Sequence, residues 1–239
     1  MAAVTDEIPE RPLPATKRPA AIAVFGPPAA GKSTLCRALL DPARVFRLRE
    51  HVSGQTLRAT QTTATSLGWI EPDEVARVLH EYFTSDATAP DSGDVLLDNF
   101  PGTGDQVHQW LSIMAEAAPG YRVVPVELDA EDSVLLSRAA CRRVCADCEP
   151  DAAGEPRLPA AIAKANPSRC GDCGSILARR PTDEPRTLAH RILRYRRASA
   201  AIRIAFADHG LPVWTLDGSL DQQRHRALLT RLLTNEQGG

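Results

Sequence analysis

The chain has 239 residues, 43% of them hydrophobic and 24% charged, and a formal net charge of −2. This is the composition of an ordinary globular protein, long enough to bury the core of one α/β domain with small insertions. The near balance of charge gives no general reason to expect a nucleic acid or a membrane surface as partner.

In chain order, residues 1–19 are rich in proline and charge and predict a disordered leader, without the apolar segment of a secretory signal. Residues 20–25 are a short apolar run ending in Gly-Pro-Pro, the profile of a buried strand. A helix is predicted over 32–40, stopped by Asp41-Pro42, and a second strand over 44–48. Val75, Val78, Leu79 and Tyr82 share one face of a helix over 72–83 that opens on Pro72. A strand over 95–98, a helix over 104–118, a strand over 123–128 and a helix over 130–144 follow. A polar stretch with four cysteines occupies 145–173; a long helix over 183–208, a strand over 213–216 and a terminal helix complete the chain. Strand and helix alternate, which predicts a mostly parallel sheet with helices on both faces. No apolar run approaches the roughly 18 residues that span a bilayer, so a cytoplasmic protein is expected.

Charge is unevenly placed. Residues 138–203 hold 14 Lys and Arg against 7 Asp and Glu, a local +7 that leaves −9 for the rest. A basic block in an acidic protein suits a site for several phosphates, whereas Arg194, Arg196 and Arg197 read as a solvated helix face.

Gly26-Pro27-Pro28-Ala29-Ala30-Gly31-Lys32-Ser33 matches the phosphate-binding pattern G-x-x-x-x-G-K-[ST] and lies between a predicted strand and helix. Backbone N–H groups there can wrap phosphate oxygens with a helix N-terminus behind them. Lys32 would reach the β and γ phosphates, and the Ser33 hydroxyl would ligate magnesium. The chain has only 3 lysines among its 28 basic residues, so a lysine at this position by chance is improbable. The Asn-Lys-x-Asp stretch of guanine-nucleotide proteins is absent from the sequence.

Cys145-x2-Cys148 and Cys170-x2-Cys173 are 21 residues apart, close to the spacing of paired zinc-binding hooks. In a reducing compartment they read as structural zinc ligands before a redox dithiol. Cys36 and Cys141 read as ordinary buried or half-buried thiols.

Further motifs carry a resemblance to the adenylate kinases. Leu96-Leu97-Asp98-Asn99-Phe100-Pro101-Gly102-Thr103 resembles that family's L-L-D-G-F-P-R-T, and Gly54-Gln55-Thr56-Leu57-Arg58-Ala59 is similar to its G-D-M-L-R-A. Arg138 and Arg142-Arg143-Val144-Cys145 resemble its lid entrance; Arg180, Asp183 and Arg191 fall where its R-x-D-D and later arginine sit; and Leu216-Asp217-Gly218 resembles its last turn. The likeness runs over residues 20–233.

It implies an α/β P-loop kinase fold with a five-stranded parallel sheet flanked by helices, a truncated acceptor-binding insertion and a zinc-binding lid. The implied division is core at 20–48, 71–144 and 181–239, acceptor insertion at 49–70 and lid at 145–180. It also implies ATP as co-substrate and Mg2+ at Ser33 and Asp98, with Gly26, Gly31, Lys32, Ser33, Thr34 and Arg138 binding ATP. Gly54, Arg58 and Gln106 would bind the acceptor; Lys32, Asp98, Arg142, Arg180 and Arg191 would carry the chemistry. For Asp98 the plain alternative is a helix cap.

The pattern breaks on the acceptor side. Gly102 replaces a phosphate-clamping arginine, Asn99 replaces a glycine, and only Trp69-Ile70 stand where the family has about a dozen residues. In the lid, Thr182 replaces one of two aspartates. The expectation is a monomeric kinase acting on small nucleotides, AMP first, with neither nucleic acid nor membrane as partner. The alternatives are a kinase of another small acceptor, such as a nucleotide analogue or specialised metabolite, and a nucleotide-binding relative without phosphotransfer.

Overall fold

The computed structural model describes residues 18–39, 44–52, 70–88, 93–149 and 158–234. Most of the expected leader and acceptor insertion, with Gly54 and Arg58, lies outside the described residues.

Strand β1 (Ala20–Phe25) is buried along its whole length, as a strand covered on both faces must be. It lies at the centre of a five-stranded sheet of order β2-β3-β1-β4-β7, with β2 at Val45–Phe46, β3 at Val95–Asp98, β4 at Arg122–Asp129 and β7 at Trp214–Asp217. All four pairings are parallel, with Val24 opposite Asp98 and Phe25 opposite Glu127.

Period-2 side-chain alternation sends successive strand residues to opposite cores. Ala21, Ala23 and Phe25 face helices α2 (Pro72–Thr84), α3 (Gly104–Ala117) and the later turns of α5 (Pro185–Asp208). Ile22 and Val24 face α1 (Lys32–Leu39), α4 (Asp132–Cys141), the start of α5, and α6 (Gln222–Thr234). Trp110 on α3 is fully buried, edge-on to Phe100 and Phe206. Among the described residues no helix is long and apolar enough to cross a membrane.

Of three arginines expected on a solvated face of α5, Arg196 is tied into the fold. Arg196 places Nη1 2.5 Å from Asp129 Oδ1 and donates to the Ala130 carbonyl (2.7 Å) and Asp132 Oδ1 (2.9 Å). Arg194 is half-buried, and of the three only Arg197 is exposed. A further tie is buried Glu127 on β4, which accepts from the Tyr195 hydroxyl and lies 2.5 Å from Arg203 Nη2. These contacts fix α5 across the C-terminal half of β4, beside the phosphate loop.

Two boundaries differ from expectation near the site. Helix α4 stops at Cys141 instead of 144 because Arg142 takes extended backbone (φ −60, ψ 133), which turns its side chain away from the helix. The polar cysteine stretch contains a two-stranded antiparallel ribbon, β5 (Ile162–Ala163) and β6 (Asn166–Cys170). Isolated antiparallel bridges join Val144 to Ala178 and Arg169 to Ile176.

Candidate nucleotide site and cysteine centre

The loop from β1 to α1 is shaped by backbone. Gly26 has φ 145, and a Cβ there would stand 2.0 Å from the Leu128 carbonyl oxygen of β4, so only glycine fits. Gly31 also has positive φ. Ala29 sits at φ 65, a left-handed conformation that costs an alanine about 1 kcal/mol or more. The sequence pattern gave no warning of this, because its middle positions accept any residue.

Lys32 opens α1 and is buried (7% exposed). Its Nζ donates to the carbonyls of Gly26 (2.9 Å) and Pro27 (2.7 Å), so the ammonium is folded back into its own loop. Burial foremost, with the charges of Arg191 and Arg142, lowers its pKa to about 7 against the opposing pull of Asp98. Ser33 and Thr34 follow, half-buried in the first turn of the helix.

Asp98 ends β3, buried, and is no helix cap: Thr103 caps α3 by accepting from the Gln106 N–H at 3.2 Å. Asp98 Oδ1 accepts from the Ser33 hydroxyl (3.1 Å) and Oδ2 from Arg47 Nε (3.1 Å). A hydroxyl and a carboxylate at this separation are hard oxygen donors of the kind that hold Mg2+ beside a phosphate. Asn99 next to it has φ 62 and donates its N–H to the Val24 carbonyl at 2.9 Å. Asparagine is among the few non-glycine residues that tolerate this conformation, which explains how it stands in for glycine there.

Arg142 forms a two-pronged pair with Asp183, Nε to Oδ2 at 2.7 Å and Nη2 to Oδ1 at 2.5 Å. Five N–H donors serve a guanidinium, so the carboxylate aims Arg142 and leaves donors over for a phosphate. Arg191 donates to the Thr182 carbonyl (3.2 Å), and its charge acts on Lys32. Arg180 is half-buried before the turn Pro181–Asp183, and its carbonyl accepts from Asp183 N–H at 2.9 Å. Arg138 bonds the carbonyls of Gly218 and Ser219 beyond β7, placing it behind the phosphate loop. Gln106 accepts from the Gly102 N–H at 2.7 Å, on the loop that leaves Asp98.

The structure thus brings together Lys32, Ser33, Asp98, Arg142 and Arg191, with Arg138 and Gln106 at the two edges. Arg47 completes the group, and only its positive charge marked it in the sequence.

The four cysteines also meet. All four sulfurs lie within 4.8 Å of one another, with Cys145–Cys173 at 3.5 Å and Cys148–Cys170 at 3.7 Å. The edge of a tetrahedron with metal–sulfur bonds of 2.3 Å is about 3.8 Å, so the cluster is compatible with zinc. Cys36 is buried and Cys141 exposed, both apart from this centre.

A parallel sheet with a glycine-bounded phosphate loop after its central strand, and arginines gathered over that loop, defines a P-loop protein of kinase fold. Residues 22–153 match the AAA domain family, more than half of the chain, and the chain belongs to this family. It is also similar over most of its length to adenylate kinases, as its motifs predict. That of Kosmotoga olearia is 28% identical over 211 residues, 84% of this chain and 92% of the relative. That of Rhizorhabdus wittichii is 27% identical over 229 residues, 90% of this chain and 99% of the relative. That of Paracoccus denitrificans is 29% identical over 185 residues, 73% of this chain and 79% of the relative.

Proposed function

We propose that the protein transfers the γ-phosphoryl group of ATP to a nucleoside monophosphate, with AMP the first candidate. The observation that carries this reading is the set around Lys32: a buried ammonium, a Ser33–Asp98 pair and two arginine charges acting on one phosphate loop. Binding alone does not need that concentration of cations. Phosphoryl transfer does, because charge must be stabilised on a loosely held phosphoryl group in line between two oxygens.

In this reading the triphosphate lies along the N–H groups of the phosphate loop and draws Lys32 away from the Gly26 and Pro27 carbonyls. Ser33 and Asp98 would hold Mg2+, which would neutralise charge on the triphosphate. Arg142, aimed by Asp183, and Arg191 supply N–H donors to the moving group, with Arg180 joining from the lid side. An oxygen of the acceptor phosphate bonds to the γ phosphorus while the bond to the β–γ bridging oxygen breaks, and ADP leaves with that electron pair. The attacking oxygen is already ionised, so the step needs no general base.

Zinc on Cys145, Cys148, Cys170 and Cys173 would hold 145–180 together as a lid over ATP, expelling water that would otherwise hydrolyse it. The core at 20–48, 71–144 and 181–239 and the acceptor insertion at 49–70 belong to the same proposal. The test is ATP consumption by purified protein against a panel of nucleoside monophosphates. Turnover with none of them, in folded zinc-loaded protein, rejects the reading.

A second reading, a kinase for a different small acceptor, is favoured by Gly102, which offers no cation on the loop beyond Asp98. It predicts the same ATP site and a different winner in a wider acceptor panel.

A further inference from the structure

Helices α3 and α5 approach so closely that backbone meets backbone. A Cβ on Gly104, the first residue of α3, would stand 3.0 Å from the Ala201 carbonyl oxygen of α5. Along the same contact Trp110 and Phe206 are both buried and meet edge-on, with ring centroids 6.4 Å apart. On the exposed side two imidazoles face each other. His108 Nδ1, on α3, lies 3.0 Å from His209 Nε2, on the C-cap of α5, and the ring centroids are 5.2 Å apart.

The two histidines are 101 residues apart in sequence, and the backbone under each is anchored. His108 follows fully buried Val107 and precedes buried Trp110 by two residues. His209 sits in the turn that stops α5, where its N–H donates to the Phe206 carbonyl at 3.1 Å and Gly210 beyond it has φ 71. Both side chains are exposed. A hydrogen bond between two neutral imidazoles at the surface adds little, since each nitrogen exchanges a water for another partner. The packing of α3 on α5 already has Trp110 and Phe206 to hold it.

We propose that His108 and His209 form a chelating site for a divalent transition-metal ion of the Ni2+, Cu2+ and Zn2+ class, bound through His108 Nδ1 and His209 Nε2. Neutral imidazole nitrogen is a donor these ions favour, whereas Mg2+ prefers oxygen. Metal–nitrogen bonds of about 2.0–2.1 Å put two nitrogens about 3.0 Å apart at a right angle and about 3.4 Å apart at the tetrahedral angle. The observed separation of 3.0 Å already matches the first of these spans. The ring planes are tilted by 49°, and exposed rings turn on their χ angles to aim both lone pairs at one ion beside the N–N line. Each ring keeps one N–H: the ring that donates in the hydrogen bond shifts its proton, through water, to its other nitrogen. Among the described residues only the four cysteines form a group of three or more His, Cys, Asp or Glu placed to share an ion, so water would complete the coordination here. The site is therefore an exchangeable one. Anchored helices hold both ligands in place beforehand, which lowers the ordering cost of chelation.

This site does not depend on the phosphotransfer reading, and two measurements test it. The first is calorimetric titration of Ni2+ into protein whose cysteine centre is loaded with zinc. Nickel suits imidazole, while thiolate ligands select zinc. Native protein should bind one Ni2+ at this site, and Mg2+ should give no such signal. His108→Ala and His209→Ala should each weaken Ni2+ binding at least about 10-fold, because one remaining imidazole loses the gain of a linked second ligand. The double variant should be no weaker than either single one, since the two ligands act as a unit. Absence of Ni2+ binding in the native protein, binding kept in both single variants, or binding that depends on only one of the two histidines overturns the proposal.

The second measurement needs no substitution. X-ray absorption at the nickel edge, on native protein carrying one Ni2+, should show two imidazole nitrogens with oxygen ligands in the remaining positions. A sulfur shell, or any number of imidazoles other than two, rejects the pair as the site.

Discussion

Lys32 gives the sharpest prediction because its ligand-free state is so unfavourable to charge. Its ordinary pKa of 10.5 falls to about 7, through burial first and then the neighbouring arginines. A triphosphate placed against it reverses those effects, since an opposite charge at contact favours the ammonium. At pH 8 a group of pKa about 7 is protonated ~10% of the time, so binding MgATP should take up ~0.9 proton there and only ~0.1 at pH 6. Affinity should fall roughly tenfold per pH unit above 7, equivalent to about 1.4 kcal/mol per unit. Titration calorimetry at pH 6, 7 and 8, in buffers of different ionisation enthalpy, measures the uptake directly. Magnesium keeps the triphosphate ionised, so the nucleotide's own titration does not contribute.

Stability should move with the same group and in a definite direction. Between pH 7 and 10.5 the unfolded lysine carries a proton that the folded one lacks. The ligand-free protein therefore gains stability from Lys32 as pH rises through that window, and bears the full penalty below it. Bound nucleotide removes the penalty, so the rise in Tm on adding MgATP should shrink from pH 7 to pH 9. An uptake below ~0.2 proton at pH 8, together with a Tm increment independent of pH, would refute the idea that this lysine waits partly discharged.

Three other outcomes are expected. Arg142→Ala should lower kcat by about 10³-fold with little change in far-UV circular dichroism, because in the proposed reaction the guanidinium meets charge that develops on the moving phosphoryl group; near-normal turnover removes Arg142 from the mechanism. Elemental analysis should find one zinc per chain, and chelation should loosen the ribbon around the four cysteines before the sheet unfolds, which hydrogen exchange can resolve by region. Ala29→Gly should raise Tm by roughly 1–3 °C, since relief of the left-handed alanine exceeds the added freedom of the unfolded chain; a lower Tm contradicts the strain.

The strands and helices of the core were legible because each carries its own period. Strand β1 at Ala20–Phe25 and β3 at Val95–Asp98 coincide with the apolar runs, and α2 and α3 agree to within one residue. The phosphate loop and the cysteine hooks were legible because their chemistry requires fixed spacing. What escaped depends on partners distant in sequence. Arg196 looks like any exposed helical arginine until β4 brings Asp129 alongside it. Arg47 looks like one of many basic residues until β2 sets it beside Asp98. The early end of α4 at Cys141 follows the demand for Arg142 at Asp183, 41 residues later, which no local propensity encodes.

The departures from the adenylate kinase pattern fall into two kinds, and the difference bears on function. At Asn99 the residue changes but the backbone is left-handed, with φ 62, so the loop after β3 keeps the shape that glycine would give it. At Gly102 the backbone is ordinary, outside the set of described residues with positive φ, and what has gone is a charge. Loss of function by drift would be expected to spend the costly features first, and a left-handed alanine in the phosphate loop is such a feature. Here left-handed backbone stands at both Ala29 and Asn99, while Gly102 offers no cation on the loop beyond Asp98. That pattern fits the proposed phosphotransfer with a changed acceptor better than it fits a relic that merely binds nucleotide.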